Sequence, residues 1–150
     1  MTEVRIYHLQ RQSLDGVLPT LLLRSRARGW RALVKVATDE RLAALDERLW
    51  TFADESFLPH GTDREPDAAG QPILLTTADA NPNGAAILFL ADGAGVPADV
   101  AGYEVVAILL DGADTEAVAA ARADWRRAQA AGHAVAYWQQ DEAGRWAKRA

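Results

Sequence analysis

The sequence predicts an α/β fold, a three-layer sandwich around a mostly parallel sheet with a mixed edge. One observation is that short segments with the apolar or alternating pattern of strands take turns with longer segments of helical periodicity. Another is that several strand segments are apolar throughout, which is typical of strands buried on both faces of a sheet. No internal repeat or low-complexity linker divides residues 1–150, so we expect a single domain.

The first half of the chain is predicted to form two strand–helix units. Val4–Leu9 (VRIYHL) alternates in polarity and predicts the first strand. Leu18–Arg28 is leucine-rich with helical spacing, and we expect this helix to end at Gly29. The short β-branched segment Arg31–Ala37 predicts the second strand. The helix Asp39–Trp50 follows, with its first residue as a candidate N-cap. Three leucines share one face of that helix: Leu42, Leu45 and Leu49.

The second half is predicted to supply three buried strands, a long helix and a hairpin. Gly61–Gln71 is rich in turn formers and acids and predicts a loop. The apolar strands are Pro72–Thr77, Ala85–Leu90 and Tyr103–Leu110. The alanine-rich Asp114–Ala131 predicts a helix, with its first residue as N-cap and Gly132 at its far end. Ala134–Gln139 and Arg145–Lys148 flank a turn-like segment, so a hairpin is expected.

Composition limits the classes of function. The 150 residues suffice for a packed core, and the absence of cysteine excludes disulfides, thiolate metal sites and a cysteine nucleophile. The start of the chain has neither the basic nor the apolar region of a signal peptide, and no apolar run approaches the roughly 20 residues that span a bilayer. A soluble, cytoplasmic protein without membrane contact is therefore expected.

Charge is unevenly distributed along the chain. The net charge of −5 argues against broad DNA binding, because affinity for nucleic acids comes mostly from neutralised phosphates. Residues 122–150 nevertheless carry six basic and three acidic groups, a local charge of +3 that leaves −8 for the remainder. A basic end on an acidic protein suits a local acidic ligand better than a DNA duplex.

Motifs for catalysis or cofactor binding are missing from the sequence. Neither G-x-G-x-x-G nor G-x-x-x-x-G-K-[ST] occurs, and the nearest glycine-rich turn, with Gly93 and Gly95, lacks a third glycine. The histidines have no spacing typical of a metal site: His8, His60 and His133. We expect no catalytic residue, cofactor or metal. The rival hypothesis is a small α/β nucleotide-binding enzyme that uses the Gly93–Gly95 turn and His60.

Two other features are typical of recognition surfaces. Leu45–His60 (LDERLWTFADESFLPH) combines an amphipathic helix with aromatic residues beside a proline-containing turn, and these aromatics are either core or a docking surface. On the late helix, i, i+3, i+4 and i+7 spacing places a mixed basic and aromatic set on one side: Arg122, Trp125, Arg126 and Gln129. Two guanidinium groups beside an indole suit a carboxylate and an aromatic ring together. The alternative is a solvated basic face whose Trp125 packs partly on the sheet.

These segments resemble one known family, the chi subunit of bacterial DNA polymerase III holoenzyme. Leu45–His60 is similar to that family's leucine-acidic-x-x-LW…ESF-[LV]-PH run. Further similarity lies in VRIYHL, in the strands PILLTT and AAILFL, and in an A-R-x-x-[WY]-[KR] motif followed by A-G. Here that motif is Ala121, Arg122, Trp125 and Arg126, then Ala131-Gly132. Tryptophan and arginine stand where tyrosine and lysine are familiar.

The resemblance implies a noncatalytic accessory subunit of a DNA polymerase complex, with a nucleotide-binding-like fold that lacks a phosphate loop. It implies two partners: the psi subunit, which links to the clamp loader, and the acidic C-terminal tail of single-stranded DNA-binding protein, which ends in a phenylalanine carboxylate. DNA contact would be indirect. The tail-binding residues implied by position are Arg122, Trp125, Arg126 and Leu109. Those implied for psi or a helicase are Trp50, Phe57 and Leu58. A docking module without tail binding is a second alternative.

Overall fold

The computed structural model describes residues 2–9, 13–51, 60–91, 93–143 and 145–149. Within them, strands and α-helices follow in the order β1 (Glu3–Leu9), α1 (Leu14–Ala27), β2 (Ala32–Lys35), α2 (Asp39–Thr51), β3 (Gly61–Thr62), β4 (Ile73–Thr76), β5 (Ile87–Leu90), β6 (Val105–Asp111), α3 (Thr115–Ala130), β7 (Ala134–Gln140) and β8 (Trp146–Lys148). A short 3-10 helix, Ala68–Gly70, precedes β4.

The strands form one sheet in the order β3-β4-β2-β5-β6-β1-β7-β8. Neighbouring strands are parallel except for β7 and β8, which are antiparallel at one edge. This arrangement confirms the predicted α/β class with a mostly parallel sheet and a mixed edge. It also confirms the predicted hairpin, in which Trp138 pairs with Lys148 and Gln140 with Trp146.

Helices cover both faces of the sheet, which gives three layers. Leucines of α1 and α2 pack on one face with alternate strand residues such as Tyr7 and Leu109. On the other face, Ala121 and Ala128 of α3 pack with the intervening residues, such as Ile6 and Leu110. Because successive side chains of a strand point to opposite faces, β1 and β6 each supply both halves of the core.

Two helix starts differ from the prediction. Helix α1 begins at Leu14 rather than Leu18, one turn earlier than predicted, and it contains Pro19. Proline has no backbone N–H to donate within a helix. Burial of Val17, Leu18 and Pro19 against the core stabilises this end of the helix nevertheless. Asp39 was the wrong N-cap for α2. Thr38 Oγ1 accepts a hydrogen bond from the Arg41 backbone N–H at 3.2 Å, so Thr38 caps the helix and Asp39 lies in its first turn.

The loop predicted for Gly61–Gln71 contains the two-residue strand β3 and the 3-10 helix. The abundance of turn-forming residues in this segment did not predict either element.

Both ends of helix α3 lie where the sequence predicted them. The Asp114 carboxylate accepts the backbone N–H groups of Glu116 and Ala117 at 3.1 Å, and Gly132 follows with φ of +84°. In the described ranges, every helix is too short or too polar to cross a bilayer.

Candidate functional site: a groove beside helix α3

A groove of about 390 Å³ lies between α3 and the sheet, within the size range of roughly 300–1,000 Å³ that small-ligand sites occupy. We call it the α3 groove. Its wall on the helix side combines apolar and basic residues, and its floor comes from three adjacent strands, β6, β1 and β7. The lining residues are Ile6, His8, Leu110, Val118, Ala121, Arg122, Trp125, Arg126 and Tyr137.

The rotation of α3 fixes which side chains reach this groove. Ala121 and Ala128, two turns apart, are buried against the sheet. Their small side chains let the helix lie close to the strands, and the residues beside them come to the rim. Trp125 is therefore partly buried, whereas Arg122 and Arg126, one turn apart, are exposed.

The register between neighbouring strands brings the residues of the groove floor together. His8 of β1 pairs with Leu110 of β6, and Ile6 of β1 pairs with Tyr137 of β7. All four side chains face α3. The Trp125 and Tyr137 rings meet edge to face, with centroids 6.3 Å apart and planes at 76°. The helix face and the sheet floor thus form one continuous aromatic surface.

His8 and Tyr137 form a polar pair at the floor. His8 Nδ1 and Tyr137 Oη are hydrogen-bonded, and Gln139 Nε2 lies 3.4 Å from the same nitrogen. Burial lowers the pKa of His8, while the charge of Asp111 acts in the raising direction. Burial also raises the pKa of Tyr137 against the opposing charge of Arg122. At neutral pH the floor therefore carries a neutral imidazole and a neutral phenol, both able to hydrogen-bond.

The rim is positively charged. Among the described residues, neither Arg122 nor Arg126 has a carboxylate within ion-pair distance. Arg127, which does not line the groove, is paired with Asp124. Two guanidinium groups without acidic partners, set above an aromatic and aliphatic floor, suit a ligand that carries both a carboxylate and an apolar ring.

The structure brings together three of the four residues that the resemblance assigns to tail binding. Leu109 is not with the others. It is buried on the opposite face of the sheet, in the core beneath α1 and α2, and its neighbour Leu110 lines the α3 groove instead. Alternation along β6 is the reason, because a shift of one residue moves a side chain to the other face.

Sequence reasoning also missed four floor residues: Ile6, His8, Leu110 and Tyr137. The continuous apolar run of β6 carries no alternation that would mark its two faces. The signal that was available lay in β1, whose alternating VRIYHL places Ile6 and His8 on the same face. Linking β1 to α3 required the sheet order, which the sequence does not supply.

Of the docking residues implied by the resemblance, the structure describes one, Trp50. Trp50, in the last turn of α2, is 47% exposed, and its ring packs on the His60 ring with centroids 4.1 Å apart. Phe57 and Leu58 lie outside the described residues. A large exposed indole is costly to leave in water, which is consistent with a surface that another protein covers.

The features that favoured a nucleotide-binding enzyme are occupied by structural contacts. Lys35, at the end of β2, donates to the Gly95 carbonyl at 2.8 Å and pairs with Asp79 at 2.5 Å. His60 is buried and lies 3.2 Å from the Asp46 backbone oxygen through Nε2. The described residues include no group of three histidine, aspartate or glutamate side chains placed to hold a metal ion.

Comparison with known proteins gives two matches. A family model described as "DNA polymerase III chi subunit, HolC" matches residues 1–136 of this chain. A protein of Rickettsia prowazekii (strain Madrid E), "Probable DNA polymerase III subunit chi", is 27% identical over 101 residues. The match covers 67% of this chain and 59% of the Rickettsia protein, so this chain spans about three fifths of its relative's length.

Proposed function

This chain belongs to the DNA polymerase III chi subunit family, and from that membership we propose that it acts as a noncatalytic bridge in DNA replication. In this proposal the α3 groove binds the acidic C-terminal tail of single-stranded DNA-binding protein. A separate surface around Trp50 docks the psi subunit, which links to the clamp loader, or a helicase.

The observation that carries the tail-binding proposal is the pair of arginines on the groove rim. Arg122 and Arg126 are exposed, lie one helical turn apart and have no acidic partner among the described residues. Beneath them, Trp125 and Tyr137 offer ring faces and edges to a terminal phenylalanine. The terminal carboxylate and the neighbouring acids of the tail would meet the guanidinium groups, and the phenyl ring would enter the groove.

Both parts of this ligand are needed for useful affinity. A hydrogen bond to a charged group contributes about 1.5–3 kcal/mol, and burial of a phenylalanine side chain contributes a similar amount. Exposed ion pairs alone are worth about 1 kcal/mol or less and are screened by salt. The proposal therefore requires a peptide that ends in an aromatic residue with a free carboxylate.

The test is a titration of the purified protein with a labelled acidic peptide that ends in Pro-Phe-COO⁻, followed by fluorescence anisotropy. We expect salt-sensitive binding that weakens about tenfold or more in Arg122→Ala, since 1.4 kcal/mol corresponds to a factor of ten. Amidation of the peptide terminus should weaken binding to the wild-type protein to a similar extent.

Arg127→Ala is the matched control. It removes the same charge from the same helix, but Arg127 is paired with Asp124 and does not line the α3 groove. It should change the affinity by less than about threefold, the effect of an exposed charge. Equal losses in the two variants, or no binding by the wild-type protein, would contradict the tail-binding proposal.

The Trp50 surface is tested separately by capture of the psi subunit or a helicase on the immobilised protein. Trp50 is about half exposed, so Trp50→Ala removes contact area from the surface without opening a core cavity. We expect this variant to lose capture while keeping its affinity for the peptide. Capture lost in Arg122→Ala and kept in Trp50→Ala would instead place docking at the α3 groove.

A further inference from the structure

A second groove, of about 230 Å³, lies on the opposite face of the sheet between the end of α1 and strands β1, β7 and β8. We call it the α1 groove. We propose that it binds single-stranded nucleic acid, with a base stacked on its tryptophans and phosphates held by its arginines. The residues that carry this proposal are Tyr7, Arg24, Arg28, Trp30, Trp138 and Trp146.

The groove is aromatic on several sides. Trp30, Trp138 and Trp146 are each partly buried at the edge of the core, so each keeps some ring surface open. Tyr7 lies at the centre, with Trp146 edge to face at 5.1 Å and Trp138 stacked at 6.4 Å between ring centroids. Trp138 and Trp146 are held by their strands and by Tyr7, and Trp30 by Arg28, so they form a preorganised surface for another flat ring.

The charge around these rings is positive. Arg24 and Arg28 lie one turn apart at the end of α1, and Arg28 sits over the Trp30 ring at 4.0 Å. Among the described residues, neither of the two arginines has a carboxylate partner. A third cation, Lys148 of β8, pairs with Trp138 in register and therefore faces the same side of the sheet.

The combination favours nucleic acid over an acidic peptide. Every nucleotide supplies a flat ring and a phosphate, and this groove offers both indoles and guanidinium groups. An acidic peptide supplies carboxylates, but a ring only where its sequence has one. The volume lies below the usual range of small-ligand sites, so the groove suits one base of a strand that continues along the surface.

The net charge of −5 does not oppose such local binding, because the segment that leads from α1 into the groove is basic and the nearby acid Glu3 is paired with Arg5. Residues 24–31 (RSRARGWR) contain four arginines and no acid. Interactions between exposed charges are screened beyond about 8 Å at physiological salt, so a ligand in the groove experiences mainly these nearby cations. We infer weak binding that depends steeply on salt, in contrast to the broad duplex binding that the overall charge argues against.

The experiment is a titration of labelled oligothymidylate with the full chain at low salt, followed by anisotropy, with the acidic peptide titrated in parallel. Neutralising the two arginines at the end of α1 in Arg24→Gln/Arg28→Gln should weaken oligonucleotide binding about tenfold and leave peptide binding unchanged. The slope of log affinity against log salt should fall by about 1.4, since each phosphate contact on a single strand contributes roughly 0.7.

The double variant Arg48→Gln/Arg127→Gln is the matched control, with the same loss of charge from exposed helix positions outside the α1 groove. An abasic oligomer of equal length tests the contribution of base stacking without altering the protein. The comparison of Trp30→Leu with Trp30→Phe tests the same contribution by altering the protein. We expect the abasic oligomer and Trp30→Leu to bind weakly and Trp30→Phe to bind like the wild type. Thermal melts establish that every variant is folded.

Three outcomes would overturn the proposal. One is the absence of oligonucleotide binding at low salt. Another is an equal loss of affinity in the two double variants, which would indicate general charge attraction. The third is binding of the abasic oligomer as tightly as oligothymidylate, which would show that the tryptophans are not used. Because peptide binding is measured in the same samples, failure here is distinguishable from failure of the tail-binding proposal.

Discussion

At the residue scale, His8 is the least expected member of the α3 groove. It lies on β1, more than a hundred residues from α3 in sequence, and it shares a hydrogen bond with Tyr137. Burial holds its pKa below the ordinary value, so the free protein keeps it neutral at pH 7. The other charged groups around this groove are Asp111, Arg122 and Arg126.

The first prediction follows from the position of His8 at the groove floor. Carboxylates of a bound tail would favour protonated His8, so the complex would bind more protons than the free protein. Affinity for the acidic peptide should therefore rise as the pH falls from about 7.5 to about 5.5, a range in which the peptide acids stay ionised. Anisotropy titrations across this range in the wild type and in His8→Gln provide the measurement.

The His8→Gln variant should show a flatter pH profile, because its amide cannot gain a proton. An identical rise in the two proteins would assign the pH effect to another group. The stability of the free protein has the opposite pH dependence, since it falls as the pH falls. A folded pKa below the unfolded value means that this contribution to stability is complete above about pH 6.5 and is lost as the pH falls through the folded pKa.

At the element scale, α3 is the helix that presents the proposed tail site, and both its ends are encoded in the sequence. The Asp114 carboxylate accepts two backbone N–H groups at the start of the helix, and Gly132 adopts a positive φ just after its end. Between them, the buried residues are Ala121 and Ala128, with Val118 and Trp125 partly buried beside them. Because the buried side chains of α3 are small, we expect its end caps to matter more than they would for a leucine-rich helix.

The second prediction concerns this cap. Asp114→Ala removes the acceptor of two hydrogen bonds and the negative charge at the helix N-terminus. We expect the free energy of unfolding to fall by about 1 kcal/mol, within the range of roughly 0.5–2 measured for lost caps. Urea denaturation with circular dichroism measures this change.

Asp114→Asn is the control, because an asparagine side chain keeps the capping oxygen and should restore most of the stability. If the alanine variant were as stable as the wild type, the Asp114 cap would not contribute to the stability of this helix. Peptide affinity should survive in both variants, since Asp114 does not line the α3 groove.

At the scale of the whole molecule, the α3 groove and the α1 groove lie on opposite faces of one sheet. Strand β1 contributes to both, with Ile6 and His8 on the α3 side and Arg5 and Tyr7 on the α1 side. Next to it in the sheet, β6 and β5 are buried on both faces almost throughout. Because close-packed interiors deform little, the sheet separates the two grooves instead of coupling them.

The third prediction is that the two ligands bind independently. At moderate salt, saturating oligothymidylate should change the affinity for the acidic peptide by less than about twofold, because the grooves share no lining residue and charges across the sheet are partly screened. Peptide titrations with and without the oligonucleotide measure the coupling. Mutual exclusion of the two ligands would show that they compete for one groove.

The sequence by itself determined the fold class, the alternation of strands and helices, the caps of α3 and the resemblance to the chi family, which the family match confirms. These features are local or periodic. Capping depends on residues within one turn, and alternation or helical spacing is read over a few residues. The grouping of Arg122, Trp125 and Arg126 could be predicted from the sequence for the same reason, since these residues lie within two turns of a single helix.

Only the tertiary structure decided which strand residues meet that helix. Leu110 instead of Leu109 faces α3, and Tyr137 and His8 join the groove because β6, β1 and β7 are neighbours in the sheet. The α1 groove depends on the same adjacency, since it joins α1 to strands near both ends of the chain. Strand order is a long-range property, and a continuously apolar strand does not mark its own faces, so packing of the whole chain was needed to place these residues.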